Sequence, residues 1–266
     1  MKNIISADVY RIVRSKGLYI TFGVLIAILL LFVGIDAMWR DMPDSEVFMF
    51  LPRPADIQYF THGMTMLFSN ASGALWLLLP LVIIAAAPIF THGTVKNDIA
   101  AGIPRTKLFV SKLIICAVLC AVVQFLFMSL GVLMFLGFGG RVGTLPTGFW
   151  LEFLQSYGAQ LFMLLAATFI GVFLVFVTKR SGAVIGAYIG IFALPEIIFA
   201  IFFTVNYDFA MVFSRFDIST SIVRLGMGFL DTLTTPELST RFIVAAVYLI
   251  ATCAGGIALF KRAEIK

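Results

Sequence analysis

Residues 73–90 read Gly73-Ala-Leu-Trp-Leu-Leu-Leu-Pro-Leu-Val-Ile-Ile-Ala-Ala-Ala-Pro-Ile-Phe90, a run without a single charge. A stretch of about 20 apolar residues is the length of helix that crosses the hydrocarbon core of a bilayer. Working outward, comparable stretches fall at about 17–37, 113–138, 155–177, 182–204 and 242–260. Of the 266 residues, 61% are hydrophobic and 12% are charged. Ordinary soluble domains carry about 25% charged residues. A soluble core cannot hide so much apolar side chain, so the excess must face lipid. The expected fold class is all-α: a polytopic membrane protein of six transmembrane helices. The first run, from Gly17, is longer than the apolar core of about 7–15 residues in a cleavable signal, and is read as a retained span. The fourth stretch starts among Glu152, Gln155 and Gln160, so its beginning is only loosely placed. The fifth holds Pro195 and Glu196, which leaves its outer half open to a break.

Basic residues set the orientation, because they are retained on the cytoplasmic side. With the N-terminus inside, the inner segments carry Lys2, Arg11, Arg14, Lys16, Lys96, Arg105, Lys107, Lys112, Lys179, Arg180, Lys261, Arg262 and Lys266. The outer ones carry Arg40, Arg53, Arg141, Arg215, Arg224 and Arg241, a split of 13 against 6 with every lysine inside. Both termini are therefore expected in the cytoplasm. Two long outer segments, 38–72 and 205–240, mix aromatic and charged residues and are expected at the interface. The net charge of +5 points to this sidedness rather than to nucleic acid.

Residues 1–16 have the pattern of an amphipathic interfacial helix. Ile5, Val9 and Ile12 share one face, while Lys2, Arg11 and Arg14 lie off it. Together with Lys16 these arginines would meet anionic headgroups. The alternative is a basic flank that only fixes topology. Between the second and third spans, Thr91 to Lys112 predicts a short helix over Thr94–Ala101. Gly102 suits its C-terminal cap, Pro104 stops it, and Thr106 is placed to cap the next helix. From the residues alone this is a basic inner loop holding a short polar helix under the membrane.

Gly93-Thr-Val-Lys-Asn, then Gly102-Ile-Pro-Arg-Thr-Lys and Lys112, resembles the permease subunits of type-2 ATP-binding-cassette exporters. The nearest likeness is to six-span bacterial permeases of antimicrobial-peptide export or self-immunity. Many members carry an acid just before Gly-Thr, where this chain has Thr91 and His92. The resemblance implies that Thr94–Ala101, with Val95, Lys96, Asn97 and Asp98, is a coupling helix seated on a cytosolic ATPase. Arg105 and Lys107 would support the turn or reach that partner. It further implies two ATPase copies, a second permease copy or homologue, and a bacterial cytoplasmic membrane. This chain has no G-x-x-x-x-G-K-[ST] run, so ATP and Mg would be bound by the partner and no cofactor by the chain itself.

Gly182, Gly186 and Gly190 form a stripe that lets another helix come close, either within the chain or from a second copy. Glu196, in the outer half of the same span, would line a substrate path with Pro195, or else sit in the headgroups beyond the span's end. Pro80 in the second span adds a kink to that candidate path. Cys116, Cys120 and Cys253 lie inside apolar runs and read as packing residues. No H-E-x-x-H or G-x-S-x-G motif is present, and the two histidines fall on opposite sides. The rival readings are a membrane immunity or sensor protein that binds a peptide without transporting it, and an intramembrane enzyme built on Glu196.

Overall fold

The structure is a computed structural model that describes residues 2–40, 73–91, 93–138, 148–226 and 233–262. Most of the first long outer segment, 41–72, lies outside the described residues, as do Arg53, Arg141 and Lys266. Among the described residues eleven helices follow in order: α1 Lys2–Val13, α2 Lys16–Arg40, α3 Gly73–Ala86, α4 Pro88–Thr91, α5 Thr94–Ala100, α6 Arg105–Phe138, α7 Phe149–Thr178, α8 Ser181–Val205, α9 Tyr207–Phe213, α10 Ile218–Arg224 and α11 Thr235–Arg262. No strand occurs among the described residues.

Among the described residues five helical stretches are long and apolar enough to cross a membrane: Gly73–Thr91, Arg105–Met134, Phe149–Thr178, Ser181–Val205 and Thr235–Arg262. A sixth is added when Ile4–Val13 and Lys16–Leu31, which meet at 60°, are taken together. The bend sits at Ser15, whose hydroxyl donates to Ile12 O at 2.8 Å while its oxygen accepts from Leu18 N at 3.3 Å. One serine thus closes α1 and caps α2.

Helix α7 is the hub of the bundle, packing on α3, α6, α8, α10 and α11. It buries a small-residue face that includes Ala159, Ala166, Ala167 and Thr168. Thr168 returns its hydroxyl to Leu164 O at 2.7 Å, so burial leaves no orphan donor there. Helices α8 and α11 stand at the rim. Only 17% of each apolar window is buried, against 61% for α3 with α4. Their outward faces present Ile201, Ile243 and Ile250, as lipid-facing helices do.

The structure fixes several points that the sequence left open. Helix α6 begins at Arg105, next to the expected cap at Thr106 and ahead of the apolar run from Leu113, and the loosely placed start of α7 falls at Phe149, ahead of Gln155. The polar residues at the start of α7 have an inner use: buried Gln160 donates to Ile222 O of α10 at 2.9 Å. Helix α8 runs unbroken through Pro195 to Val205, so it does not end at the proline. Within the chain, α8 packs through Val184, Tyr188 and Phe192. A Cβ on Gly182, Gly186 or Gly190 would meet nothing within 4 Å, so among the described residues this stripe packs against no other helix of the chain.

Pro80 lies inside α3 and has no N–H for the carbonyl one turn back. One position earlier, Leu75 O accepts from the buried Tyr188 hydroxyl at 3.1 Å, tying α3 to α8.

Candidate functional site

Helix α5 is short and held at both ends by glycine. Gly93 precedes it at φ 65 and Gly102 follows at φ 81, left-handed conformations that cost side-chain-bearing residues. Past the C-terminus, Gly102 N donates to Ile99 O at 2.9 Å and Ile103 N to Asp98 O at 3.1 Å. These crossed bonds satisfy the last carbonyls of the helix in a Schellman arrangement. Pro104 then starts α6, its carbonyl accepting from Lys107 N at 2.9 Å and Leu108 N at 3.2 Å. Thr106 is consequently inside α6 and does not cap it, because the chain turns one residue earlier than the side chains alone indicate. Replacing Gly102 by Val forces a branched side chain into the left-handed region, at about 1–2 kcal/mol. The expected outcome is faster amide exchange over 94–103 with little change in the global melt.

The apolar side of α5 is locked to the bundle. Val95 is buried, and Ile99 and Ile103 pack on the core. Lys96 and Asn97 point out and are exposed, as is Lys107 at the start of α6. Asp98 turns the other way. It lines a groove of about 410 Å³ with Ile4, Asp8, Arg11, Thr94 and Lys112. The structure therefore separates residues that the sequence reading grouped: Lys96 and Asn97 face away from the protein, while Asp98 faces α1.

In that groove lies an ion pair that the sequence did not reveal. Lys112, only 3% exposed, donates to Asp8 at 2.6 Å. Arg11 reaches the same carboxylate at 3.1 Å and donates to Ala85 O, at the end of α3, at 3.2 Å. Asp8 occupies the buried stripe of α1 between Ile5 and Ile12, whereas Val9 is 45% exposed. The inward face of α1 is thus Ile5, Asp8 and Ile12. Arg14 lies 4.2 Å above the Tyr10 ring, and Lys16 is exposed.

Arg105 faces a different partner. It donates to Lys261 O at 3.0 Å and to Phe260 O at 3.5 Å, at the C-terminus of α11, where a cation offsets the helix dipole. Beneath it Phe90, Phe109, Phe176 and Phe260 pack edge to face, with centroids 4.8–5.1 Å apart for the three closest pairs. Gly256 of α11 makes this cluster possible, since a Cβ there would fall on the Phe109 ring. These contacts join α4, α6, α7 and α11 at the α5 end of the bundle.

The opposite end carries a polar crown. Asn206 caps α9 and Asp217 caps α10, accepting from Phe209 N at 3.1 Å and Thr220 N at 2.8 Å respectively. Arg241, 2% exposed, donates to Ser214 O at 2.9 Å and Ser221 Oγ at 2.8 Å. Arg215 pairs with Glu237 at 2.8 Å. Glu196 of α8 accepts from the Ser219 hydroxyl of α10. The two helices border a cleft of about 430 Å³ lined by Glu196, Phe199, Phe203, Thr220, Val223 and Arg224. Pro195 is adjacent on α8, while Pro80 belongs to α3 and does not line the cleft.

Through these contacts the described basic residues expected inside gather at the α5 end, and Arg215, Arg224 and Arg241 at the other. No cluster of potential metal ligands occurs among the described residues. The sequence matches no family model and is not significantly similar to any curated protein.

Proposed function

We propose that the chain is the permease subunit of an ATP-binding-cassette exporter in a bacterial cytoplasmic membrane, with six spans and both termini cytoplasmic. In this reading it moves an amphipathic substrate, peptide or lipid, out of or across the membrane, powered by a separate ATPase. The observation that carries the proposal is α5. It is a short helix with one side bolted to the bundle and with Lys96 and Asn97 presented outward at the basic end.

A partner seated on Lys96 and Asn97 would move α5 as a rigid body. Val95, Ile99 and Ile103 would carry the motion into the core, and Arg105 would carry it to α11. Two ATPase copies, holding ATP and Mg, would act on two permeases. The open glycine face of α8 is where a second permease could approach closely. Anionic lipid would meet Arg14 and Lys16 beside the bent first helix.

An intramembrane enzyme is the reading that the Glu196–Ser219 contact favours. Ser219 is 1% exposed, which suits a residue that positions the carboxylate better than one that attacks a substrate.

The test is co-purification from solubilised membranes. The wild-type chain is expected to bring down a soluble ATPase and stimulate it. Alanine at both Lys96 and Asn97 is expected to lower association about tenfold or more, as for interface anchors. Asp98→Asn, facing the groove, is expected to do much less. Full association and stimulation with the double variant, or labelling of Lys96 from outside intact cells, would end the proposal.

A further inference from the structure

The cleft between α8 and α10 lies at the end of the bundle away from α5, and its lining combines an acid, a base and aromatic walls. Glu196 lies fifteen residues beyond Ser181, about 22 Å along the helix axis. In a hydrocarbon core about 30 Å thick, that places it in the leaflet away from α5. The walls are apolar, with Phe199, Phe203 and Val223, and Phe203 is 47% exposed. Among the described residues Glu196 has one hydrogen-bond donor, Ser219. Among the described residues the one polar contact of Arg224 is Met211 Sδ at 3.6 Å. Neither forms an ion pair with the other or with another described residue. Among the described residues this leaves an acid and a base beside lipid without counter-charges, an arrangement costly to maintain, and a ligand that carries both complements offsets the cost. A cationic peptide would satisfy Glu196 but bring its charge towards Arg224. An anionic lipid would do the reverse.

Resting on the reading of the chain as a membrane permease, we propose that this cleft binds the headgroup of a zwitterionic phospholipid with a primary amine. The ammonium donates to the Glu196 carboxylate, which Ser219 holds in place. The phosphate accepts from the Arg224 guanidinium in a charge-assisted bond. The acyl chains run along Phe199 and Phe203. A quaternary ammonium has no N–H for Glu196, so the site distinguishes amine from choline headgroups.

Calorimetric titration of the full chain in detergent micelles tests this with short-chain phospholipids. Phosphatidylethanolamine is expected to bind about tenfold more tightly than matched phosphatidylglycerol or phosphatidylcholine, and more tightly than phosphoethanolamine without chains. Glu196→Gln and Arg224→Gln are each expected to weaken it about tenfold, with Arg224→Lys restoring most of the loss. Should Glu196→Gln fail to fold, the Arg224 pair of variants decides. Equal binding of amine and glycerol headgroups, tighter binding of phosphoethanolamine or of a cationic amphipathic peptide, or indifference to both substitutions would overturn the assignment. None of these readouts involves an ATPase, so the lipid site and the coupling role stand or fall separately.

Discussion

Replacing Lys112 by Met is expected to destabilise the protein by about 3–5 kcal/mol, the cost of leaving a buried charge without its partner. Lys112 and Asp8 are 3% and 8% exposed, and their atoms meet at 2.6 Å. Arg11 remains on the carboxylate, but from a side chain that is 39% exposed and already shared with Ala85 O. Asp8→Leu with Lys112→Met removes both charges, and is expected to recover most of the loss because apolar pairs of similar volume are tolerated at such sites. The measurement is a double-mutant cycle by unfolding in detergent. If the pair behaved as an exposed bridge, each change would fall below about 1 kcal/mol and the cycle would be flat. Detachment of α1 should accompany the single variant, read as protease cleavage near Ser15.

Arg241→Met carries the second large effect, about 3 kcal/mol, from hydrogen bonds made by a charged donor. Its guanidinium joins the Ser214 carbonyl and the Ser221 hydroxyl, which lie on either side of the turn between α9 and α10. Methionine fills the volume but leaves these acceptors without a donor. The loss should be local in form: amide protection should fall first over 206–225, before the bundle melts. Arg215→Met is the control. Its bridge to Glu237 has the same length, 2.8 Å, but the side chains are 33% and 19% exposed, so the expected cost is under about 1 kcal/mol. Equal losses for the two substitutions would show that burial is not the source of the effect.

Much of the bundle was legible because its signals are local. Apolar length marks each long helix, and Gly93, Gly102 and Pro104 mark the limits of α5 within a residue or so. The clustering of basic residues at one end followed from counting them. What escaped was long-range pairing. Asp8 reads in sequence as one more solvated acid on an amphipathic helix, and only the approach of α6 brings Lys112 onto it. Arg241 sits at the head of a span like any outer flank, but the serines that bury it come from 20 and 27 residues upstream. Arg105 fell into a motif whose family role points outward, while the end of α11 was closer at hand. The glycine stripe on α8 shows the converse limit. Spacing reports that a face permits close approach, not which neighbour uses it.

The position of Arg241 also bears on how the protein is made. The segment that forms α9 and α10 precedes α11 in the chain, so it is made ahead of the helix that carries the residue tying it together. Asn206 and Asp217 can cap α9 and α10 locally, but the turn between them gains its guanidinium only when α11 packs. Closure of this end is therefore tied to the last helix: a chain truncated before α11 is expected to leave Ser214 O and Ser221 Oγ without the donor that joins them.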